Sequence, residues 1–296
     1  MYDTRTAGAS FRRRLLAWYG RSARDLPWRR TRDPYAVLVS EVMLQQTQAS
    51  RVTPAFERFM RRFPTLAGLA GAPLGAVLRE WSGLGYNRRA RDLHRTARLS
   101  PGGLPATVSA LDALPGIGPY TAGAIACFAF GLRVPFADTN IQRVLGRWVL
   151  GRPATNREAV ALDAEAMPTR SADLWHHALM DLGATLCRPR DPSCDKCPLN
   201  GDCRYALSSG NGLANGDAGR HPPAGGRYRD EPLRPAAYKD TDRRVRGAIV
   251  RALTARDMTL RSLEKQIGDG RVGRLAEALV ADGLVERAGR RYRLPH

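Results

Sequence analysis

Two carboxylates lie in contrasting sequence surroundings that suit them to acid chemistry. Glu41 lies in an apolar segment, and its helical neighbours three and four positions away include Val37 and Leu44. Because such a site removes a carboxylate from water, its pKa rises and it can act as a general acid. Asp138 follows an apolar stretch and begins a helix, whose N-terminus favours the ionised carboxylate. Two carboxyl groups, one held protonated and the other held ionised by their surroundings, are typical of sites that cleave glycosidic bonds.

Each carboxylate also has a plain structural interpretation. Glu41 could reach solvent past the edge of the apolar face, or it could pair with an arginine. Asp138 could serve only as the N-cap of its helix, accepting hydrogen bonds from the backbone of Asn140 or Ile141. The two residues are far apart in the chain, so the sequence alone does not bring them together.

A glycine-containing turn between Leu114 and Ala122 could bind a phosphate. Gly116 and Gly118 let the backbone turn without a Cβ in the way, and Pro119 suits the first turn of a helix. The pattern predicts a tight hairpin between two helices, with free backbone N–H groups that bind the phosphate backbone of a nucleic acid without reading bases. The alternative is an ordinary turn between two helices.

Four of the five cysteines fall in one short segment with spacings suited to a metal centre. The short spacings wrap a single centre, which favours a [4Fe–4S] cluster; the ligands would be Cys187, Cys194, Cys197 and Cys203. Zinc is the first alternative, although structural zinc sites usually draw two cysteine pairs from separated turns, and a disulfide is the second. Cys127 stands alone in an apolar stretch and is predicted to be an inert thiol of the core.

The composition points to a polyanionic partner. The chain has 296 residues and a formal net charge of +19, and its only lysines are Lys196, Lys239 and Lys265. Such a charge predicts binding to nucleic acid. Because no apolar run of 18 residues and no signal peptide occurs, a soluble cytoplasmic protein without a membrane partner is expected.

The elements that must position these groups are helices, and an all-α body is predicted from Asp33 onward. Asp33 and Pro34 form an N-cap and first-turn pair. The periodicity predicts helices over 10–21, 34–46, 53–62, 75–80, 87–98, 107–113, 119–131, 140–150 and about 171–186.

The last third of the sequence has a different organisation. A stretch rich in Gly, Pro, Ser and Asn predicts a flexible linker over 206–239. Residues 240–296 predict three short helices and a small hairpin, an order similar to a winged helix; the segments are 241–254, 259–267, 270–283, 284–287 and 291–294. The many arginines of this region predict binding to DNA phosphates without sequence readout, and a solvated basic tail is the alternative.

Together these residues resemble the helix-hairpin-helix DNA glycosylases of the endonuclease III superfamily, and within them the MutY-type adenine glycosylases. The likeness covers about residues 10–205 and includes the hairpin and the cysteine spacing. It also rests on the segments 25–28, 41–48, 83–86, 138–140 and 182–183.

The resemblance implies a fold of two helical lobes with the active site in the cleft between them. Residues 29–133 would form a six-helix barrel, and residues 1–28 would pack with 134–205, which carry the cluster. The expected partner is double-stranded DNA that contains a mismatch or a damaged base. A monomer associated with the nucleoid is expected.

The resemblance also implies an activity, the removal of adenine that lies opposite 8-oxoguanine or guanine. Glu41 would protonate the flipped adenine at N7, and Asp138 would stabilise the oxocarbenium-like sugar or bond to it. Tyr120 and Asn140 match positions that line this site.

Further positions match residues that contact DNA or the base. Gln46 and Tyr86 match residues that wedge into the duplex. Three residues match positions that form the adenine pocket in the family: Arg24, Leu26 and Trp28. His177 lies where the family often has Gln or Glu. No segment matches the Nudix-like domain with which MutY-type enzymes commonly read 8-oxoguanine. In this respect the sequence is similar to a shorter branch of the family that ends in a winged-helix-like tail.

The sequence leaves three other functions open. A thymine or uracil glycosylase of the same fold is the nearest, because those enzymes also carry a tyrosine at the position of Tyr120. An endonuclease III-like lyase needs a lysine there, and no lysine precedes Lys196. A non-enzymatic DNA-binding regulator is disfavoured by the presence of both Glu41 and Asp138.

Overall fold

The computed structural model describes residues 4–209 and 241–296 of the chain. Most of the predicted linker over 206–239 therefore lies outside the described residues. The helices are α1 (Thr4–Ser22), α2 (Pro34–Leu44), α3 (Ala49–Arg62), α4 (Leu66–Ala70), α5 (Leu74–Glu80), α6 (Arg88–Leu99), α7 (Val108–Asp112), α8 (Pro119–Phe128), α9 (Thr139–Leu150), α10 (Asn156–Ala166), α11 (Ala172–Thr185), α12 (Arg204–Ser208), α13 (Asp242–Leu253), α14 (Leu260–Ile267) and α15 (Val272–Ala281).

Strand structure in the described residues is confined to a small antiparallel sheet near the C-terminus. It consists of β1 (Met258–Thr259), β2 (Glu286–Ala288) and β3 (Arg291–Arg293), in the order β1-β3-β2. Tyr292 of β3 pairs with Met258 on one side and Arg287 on the other. The all-α prediction for the body is confirmed, and β1 is an element that the sequence pattern did not predict.

Several helices differ from the predicted ones for identifiable reasons. Helix α3 begins at Ala49, before the predicted start, and carries Pro54 inside it. Helix α10 was not predicted because its sequence has few large apolar residues, although the Thr155–Glu158 capping box marks its start. Helix α12 ends at Ser208 and therefore extends into the first residues of the predicted linker.

The chain divides into two compact units. Among the described residues, the first comprises 4–32, 106–108 and 118–209, and it contains α1 and α8 to α12. Its core is aromatic, because the ring of Phe11 lies 3.8 Å from that of Trp148 and 5.6 Å from that of Trp175. All three side chains are fully buried, so the amphipathic face of α1 joins the core of α9 and α11.

The second unit comprises, of the described residues, 33–105, 109–117 and 241–296. It contains α2 to α6, most of α7 and the C-terminal elements α13 to α15 with the sheet. Helix α2 is buried from Tyr35 to Met43, which explains its nearly continuous apolar sequence. The C-terminal elements have their own apolar core, formed by Val245, Ile249, Leu253, Leu263, Leu275 and Leu279.

This division differs from the predicted domains in two respects. Helix α8, expected in the barrel lobe 29–133, belongs to the first unit, because Phe128 contacts the rings of Phe136 and His177 there. Residues 241–296, expected as a separate domain, belong to the second unit. No helix among the described residues is long and apolar enough to cross a membrane.

Candidate active site

Glu41 is a buried carboxylate on an apolar helix. Helix α2 begins at Pro34, and the Asp33 side chain caps it by accepting hydrogen bonds from the backbone N–H of Tyr35 and Ala36 at 3.1 and 3.3 Å. Only 7% of Glu41 is exposed, so the side chain does not extend into solvent. A carboxyl group in such surroundings is suited to donating a proton.

Asp138 caps helix α9 in the first unit. Its Oδ1 accepts a hydrogen bond from the N–H of Ile141 at 2.8 Å, as predicted for an N-cap. Its Oδ2 accepts one from Nδ2 of Asn140, also at 2.8 Å. These bonds fix the orientation of the carboxylate, and the helix N-terminus stabilises its negative charge.

Arg143 connects this cap to the start of the cysteine segment. Its Nη2 donates to Oδ1 of Asn140 and to the carbonyl of Gly183, both at 2.8 Å, and its Nε donates to the carbonyl of Cys187 at 2.6 Å. Helices α9 and α11 approach closely here, because a Cβ on Gly183 would lie 2.5 Å from the Cβ of Asn140. The Asn140 amide is therefore held from both sides.

A row of rings lies in the same unit. The ring of Tyr120 makes an edge contact with Phe136 at 5.6 Å, and Phe136 makes one with Phe128 at the same distance. His177 stacks on Phe128 at 4.2 Å. Burial, followed by the positive charge of Arg29, lowers the pKa of His177 to about 3. His177 is therefore neutral at physiological pH and can both donate and accept a hydrogen bond.

One of the predicted base-pocket residues, Arg24, belongs to an arginine–carboxylate cluster. Asp181 is fully buried and accepts hydrogen bonds from Nε of Arg24 at 2.6 Å and from both Nη atoms of Arg29 at 2.8 Å. Burial raises the pKa of Asp181, but the hydrogen bond and charge of Arg29 outweigh it and the net shift is downward. Trp28 is buried and Leu26 half-buried at the adjoining turn.

Gln46 and Tyr86 lie on two neighbouring loops of the second unit. Both have left-handed backbone conformations, with φ of 55° and 50°, which non-glycine residues rarely adopt. Arg89 binds both loops: its guanidinium donates to carbonyls at the end of α2, including that of Gln45 at 2.5 Å, and to that of Gly85 at 3.2 Å. Such strain persists only where the surroundings fix it, as at functional sites.

The two hairpin glycines have different roles. Gly116 has a φ of 76°, and a Cβ there would lie 2.9 Å from that of Asp92, so this position requires glycine. Gly118 has a φ of −105° and caps α8, and a Cβ on it would meet nothing within 4 Å. Glycine is therefore required sterically at Gly116, whereas the space beside the backbone at Gly118 is open.

The four clustered cysteines line one small cavity. Cys187, Cys194, Cys197 and Cys203 all contribute to its wall, and all are free thiols. Arg147 donates a hydrogen bond to Sγ of Cys187 at 3.4 Å, a contact that suits a negatively charged sulfur centre. As they stand, the described His, Cys, Asp and Glu residues form no group of three placed to hold a metal ion.

The isolated cysteine behaves differently from the other four. Cys127 is buried, and burial raises its pKa to about 12, so the thiol stays protonated. This agrees with an inert core residue.

Three residues that hold the predicted site residues in place were not predicted from the sequence. Arg143 could have been found from its helical spacing, because it lies three positions after Asn140 on the same face of α9. Arg89 and Asp181 carry no such signal, since their partners lie far away in the sequence.

Comparison with known proteins identifies relatives of the whole chain. The family described as "HhH-GPD superfamily base excision DNA repair protein" matches residues 39–168. An adenine DNA glycosylase of Mycobacterium tuberculosis is 40% identical over 296 aligned positions, covering 95% of this chain and 92% of that protein.

Solved structures show the same fold. A thermostable thymine-DNA glycosylase has a TM-score of 0.61 and 30% identity, covering 69% of this chain and 98% of the other. Endonuclease III in a non-covalent complex with DNA has a TM-score of 0.59 and 23% identity, covering 68% and 97%.

Proposed function

The chain belongs to the adenine DNA glycosylases, and on that premise we propose that Glu41 and Asp138 are the catalytic pair that removes adenine from DNA in base excision repair. The observation that carries this proposal is the contrast between the two carboxyl groups. Glu41 is buried on an apolar helix, whereas Asp138 is held by the helix N-terminus and by Asn140. Such a contrast suits a buried carboxyl group to proton donation and a hydrogen-bonded, oriented carboxyl group to electrostatic stabilisation.

Glu41 would supply the proton that the leaving base needs. Transfer of its proton to N7 of adenine makes the base a better leaving group, and the C1′–N9 bond then breaks with its electron pair moving to the base. The neutral adenine departs, and the sugar is left with oxocarbenium character.

Asp138 would stabilise that positive charge. Its carboxylate is oriented before the reaction by the N–H of Ile141 and the amide of Asn140, so little reorganisation is needed when charge develops. Asp138 can hold the sugar by charge or by a covalent bond. Attack of water on C1′ then gives an abasic site and releases a proton.

We infer that the substrate is adenine opposite 8-oxoguanine or guanine, and that the protein acts as a monomer on double-stranded DNA. The neutral imidazole of His177, in the first unit with Trp28 and Tyr120, could hydrogen-bond the edge of the flipped base. Extrusion of the base costs a few kcal/mol, so the space that it leaves must be filled, and Gln46 and Tyr86 would fill it.

We further propose that Cys187, Cys194, Cys197 and Cys203 hold a [4Fe–4S] cluster, a group generally associated with this fold. The residue types suit such a cluster, because all four cysteines line one cavity and Arg147 donates a hydrogen bond to one of them. When bound, the cluster would tie the segment after α11 into a single unit. Arg143 also donates to the carbonyl of Cys187, so the segment supports the Asn140 amide.

Iron content provides the test of this cofactor assignment. Protein purified without oxygen is expected to be brown, to absorb broadly at roughly 400 nm and to contain about four irons per chain. Iron and acid-labile sulfide analysis measures this, and Cys127→Ser serves as the control that keeps the colour. Stoichiometric zinc without iron would contradict the assignment.

The enzyme is expected to release adenine without cutting the strand. A lyase reaction needs an amine that forms a Schiff base with the sugar, and no lysine precedes Lys196 in the chain. The abasic product should therefore stay intact until it is treated with alkali or heat. Gel analysis with and without alkali measures this, and borohydride trapping of a covalent adduct at a yield comparable to base release would contradict it.

A thymine-DNA glycosylase activity is the second candidate function. The 30% identity to a thermostable thymine-DNA glycosylase favours it, as does the tyrosine at position 120. Excision of thymine from T·G pairs in preference to adenine would support this alternative.

A further inference from the structure

The C-terminal elements are anchored on α6 through one aspartate. Oδ1 of Asp282, just after α15, accepts a hydrogen bond from Arg88 at 2.6 Å, and Oδ2 accepts one from Arg246 of α13. The carbonyl of Asp282 accepts another from Arg91 at 2.6 Å. A single residue therefore joins two arginines of α6 to the first helix of the C-terminal region.

A second anchor lies at the end of the chain. The N–H of Gly75 donates to the carbonyl of Pro295 at 2.7 Å, and a Cβ on Gly75 would lie 2.5 Å from that oxygen. Arg79 donates to the carbonyl of Thr254 at 3.3 Å. These contacts make residues 241–296 an integral part of the second unit, not a tail tethered only by the chain.

The docking brings a C-terminal arginine onto Tyr86. The guanidinium of Arg243 lies 4.7 Å from the centre of the Tyr86 ring, and it donates a hydrogen bond to the Tyr86 hydroxyl. The guanidinium of Arg89 lies 5.2 Å from the same ring. The ring is therefore held by two cations, one from α6 and one from α13.

The space beside this ring suits nucleic acid. A cavity of about 860 Å³ lies between the loops of Gln46 and Tyr86 and helix α13, and its wall includes Arg51, Arg243 and Arg251. None of the described residues that line it is acidic. An arginine-rich wall without carboxylates attracts a phosphate-bearing strand.

We propose that Arg243 is a positioning residue that holds Tyr86 ready to enter the duplex, which makes the C-terminal elements part of the strand-opening apparatus. The proposal rests on the wedge role of Tyr86 in the proposed function. It differs from a purely electrostatic role of the arginine-rich C-terminal region, because a phosphate clamp would raise affinity without affecting base extrusion.

Two substrates separate these roles. One is a duplex in which adenine is paired opposite guanine, and the other presents the same adenine in a single-nucleotide bulge, where extrusion costs little. Single-turnover excision rates are measured with saturating enzyme for Arg243→Ala and for Arg251→Ala. Arg251 is the matched control, because it is an exposed arginine on the same helix and its loss changes the charge equally.

Arg243→Ala is expected to slow excision from the paired duplex by about five- to thirty-fold, the range for loss of one cation–π contact and one hydrogen bond. Its rate on the bulged substrate should stay within about twofold of wild type. Arg251→Ala should leave the ratio of the two rates unchanged. Adding Tyr86→Phe to Arg243→Ala should cost less than Tyr86→Phe alone, because the hydroxyl has already lost its partner.

Four outcomes would overturn the proposal. Equal loss on both substrates for the two arginine variants would reduce Arg243 to a phosphate contact. Faster excision by Arg243→Ala would mean that the arginine restrains Tyr86 instead of presenting it. A normal rate for Tyr86→Ala on the paired duplex would remove the wedge role as well, whereas slow excision by Tyr86→Ala with a normal rate for Arg243→Ala would overturn this inference alone.

Discussion

Glu41→Gln is expected to abolish adenine excision while duplex binding stays close to wild type. The amide keeps the size of the side chain on the buried face of α2 but has no proton to give to a leaving base. Loss of a general acid typically lowers a rate by about 10²–10⁴-fold. Single-turnover excision and equilibrium binding to the same mismatched duplex measure the two effects separately.

The matched control for this experiment is Glu57→Gln. Glu57 is exposed on α3, so the same chemical change there should leave the excision rate within about twofold. Near-normal turnover by Glu41→Gln would contradict the assignment of Glu41 as the acid. Loss of both binding and excision would point to a folding defect, which thermal unfolding of the variant would reveal.

Asp138→Asn is the substitution with the second large expected effect. Asparagine is about as good an N-cap as aspartate, so helix α9 should still begin at Thr139. The variant loses the negative charge that would face the oxocarbenium-like sugar, and removal of one such electrostatic contact costs about 10²–10³-fold in rate. Single-turnover excision at saturating enzyme measures the loss.

Asp33→Asn provides the comparison at a second helix N-terminus. Asp33 caps α2 as Asp138 caps α9, so the change removes an N-cap charge without touching the proposed reaction. Its unfolding temperature and excision rate should both stay near those of the wild type. If Asp138→Asn and Asp33→Asn lowered excision equally, Asp138 would be a structural cap and not a catalytic residue.

Local signals predicted most helices of this fold well. Asp33 with Pro34, Gly118 with Pro119, and Asp138 each mark a helix start that the structure has within a residue of the predicted place. Such signals depend on only a few neighbouring residues, and caps and first-turn prolines act within one turn. Helix α10 could not be predicted in this way because its apolar periodicity is weak.

The contacts that orient the candidate site could not be predicted in the same way. Arg89 binds carbonyls near Gln45, and Asp282 binds Arg88 across most of the chain. The sequence around an arginine does not indicate which acceptor its guanidinium will bind, because tertiary packing decides the pairing. The docking of residues 241–296 on the second unit, and with it the contact of Arg243 with Tyr86, was therefore absent from the sequence prediction.

The open space beside Gly118 also depends on tertiary packing, so the local sequence does not predict it. The backbone at Gly118 is extended, and no atom lies within 4 Å of the position that a Cβ would take. Glycine at such a position leaves room for a ligand to approach the N–H groups at the start of α8.

The identity of the excised base is the most direct test of the proposed activity. Single-turnover excision by the full chain is measured on one panel of otherwise identical duplexes that contain A·8-oxoG, A·G, T·G, U·G or thymine glycol. The proposed function predicts release of adenine from A·8-oxoG and A·G, dependent on Glu41 and Asp138, with no comparable release from the other three. Preferential release of thymine or uracil opposite guanine would contradict it.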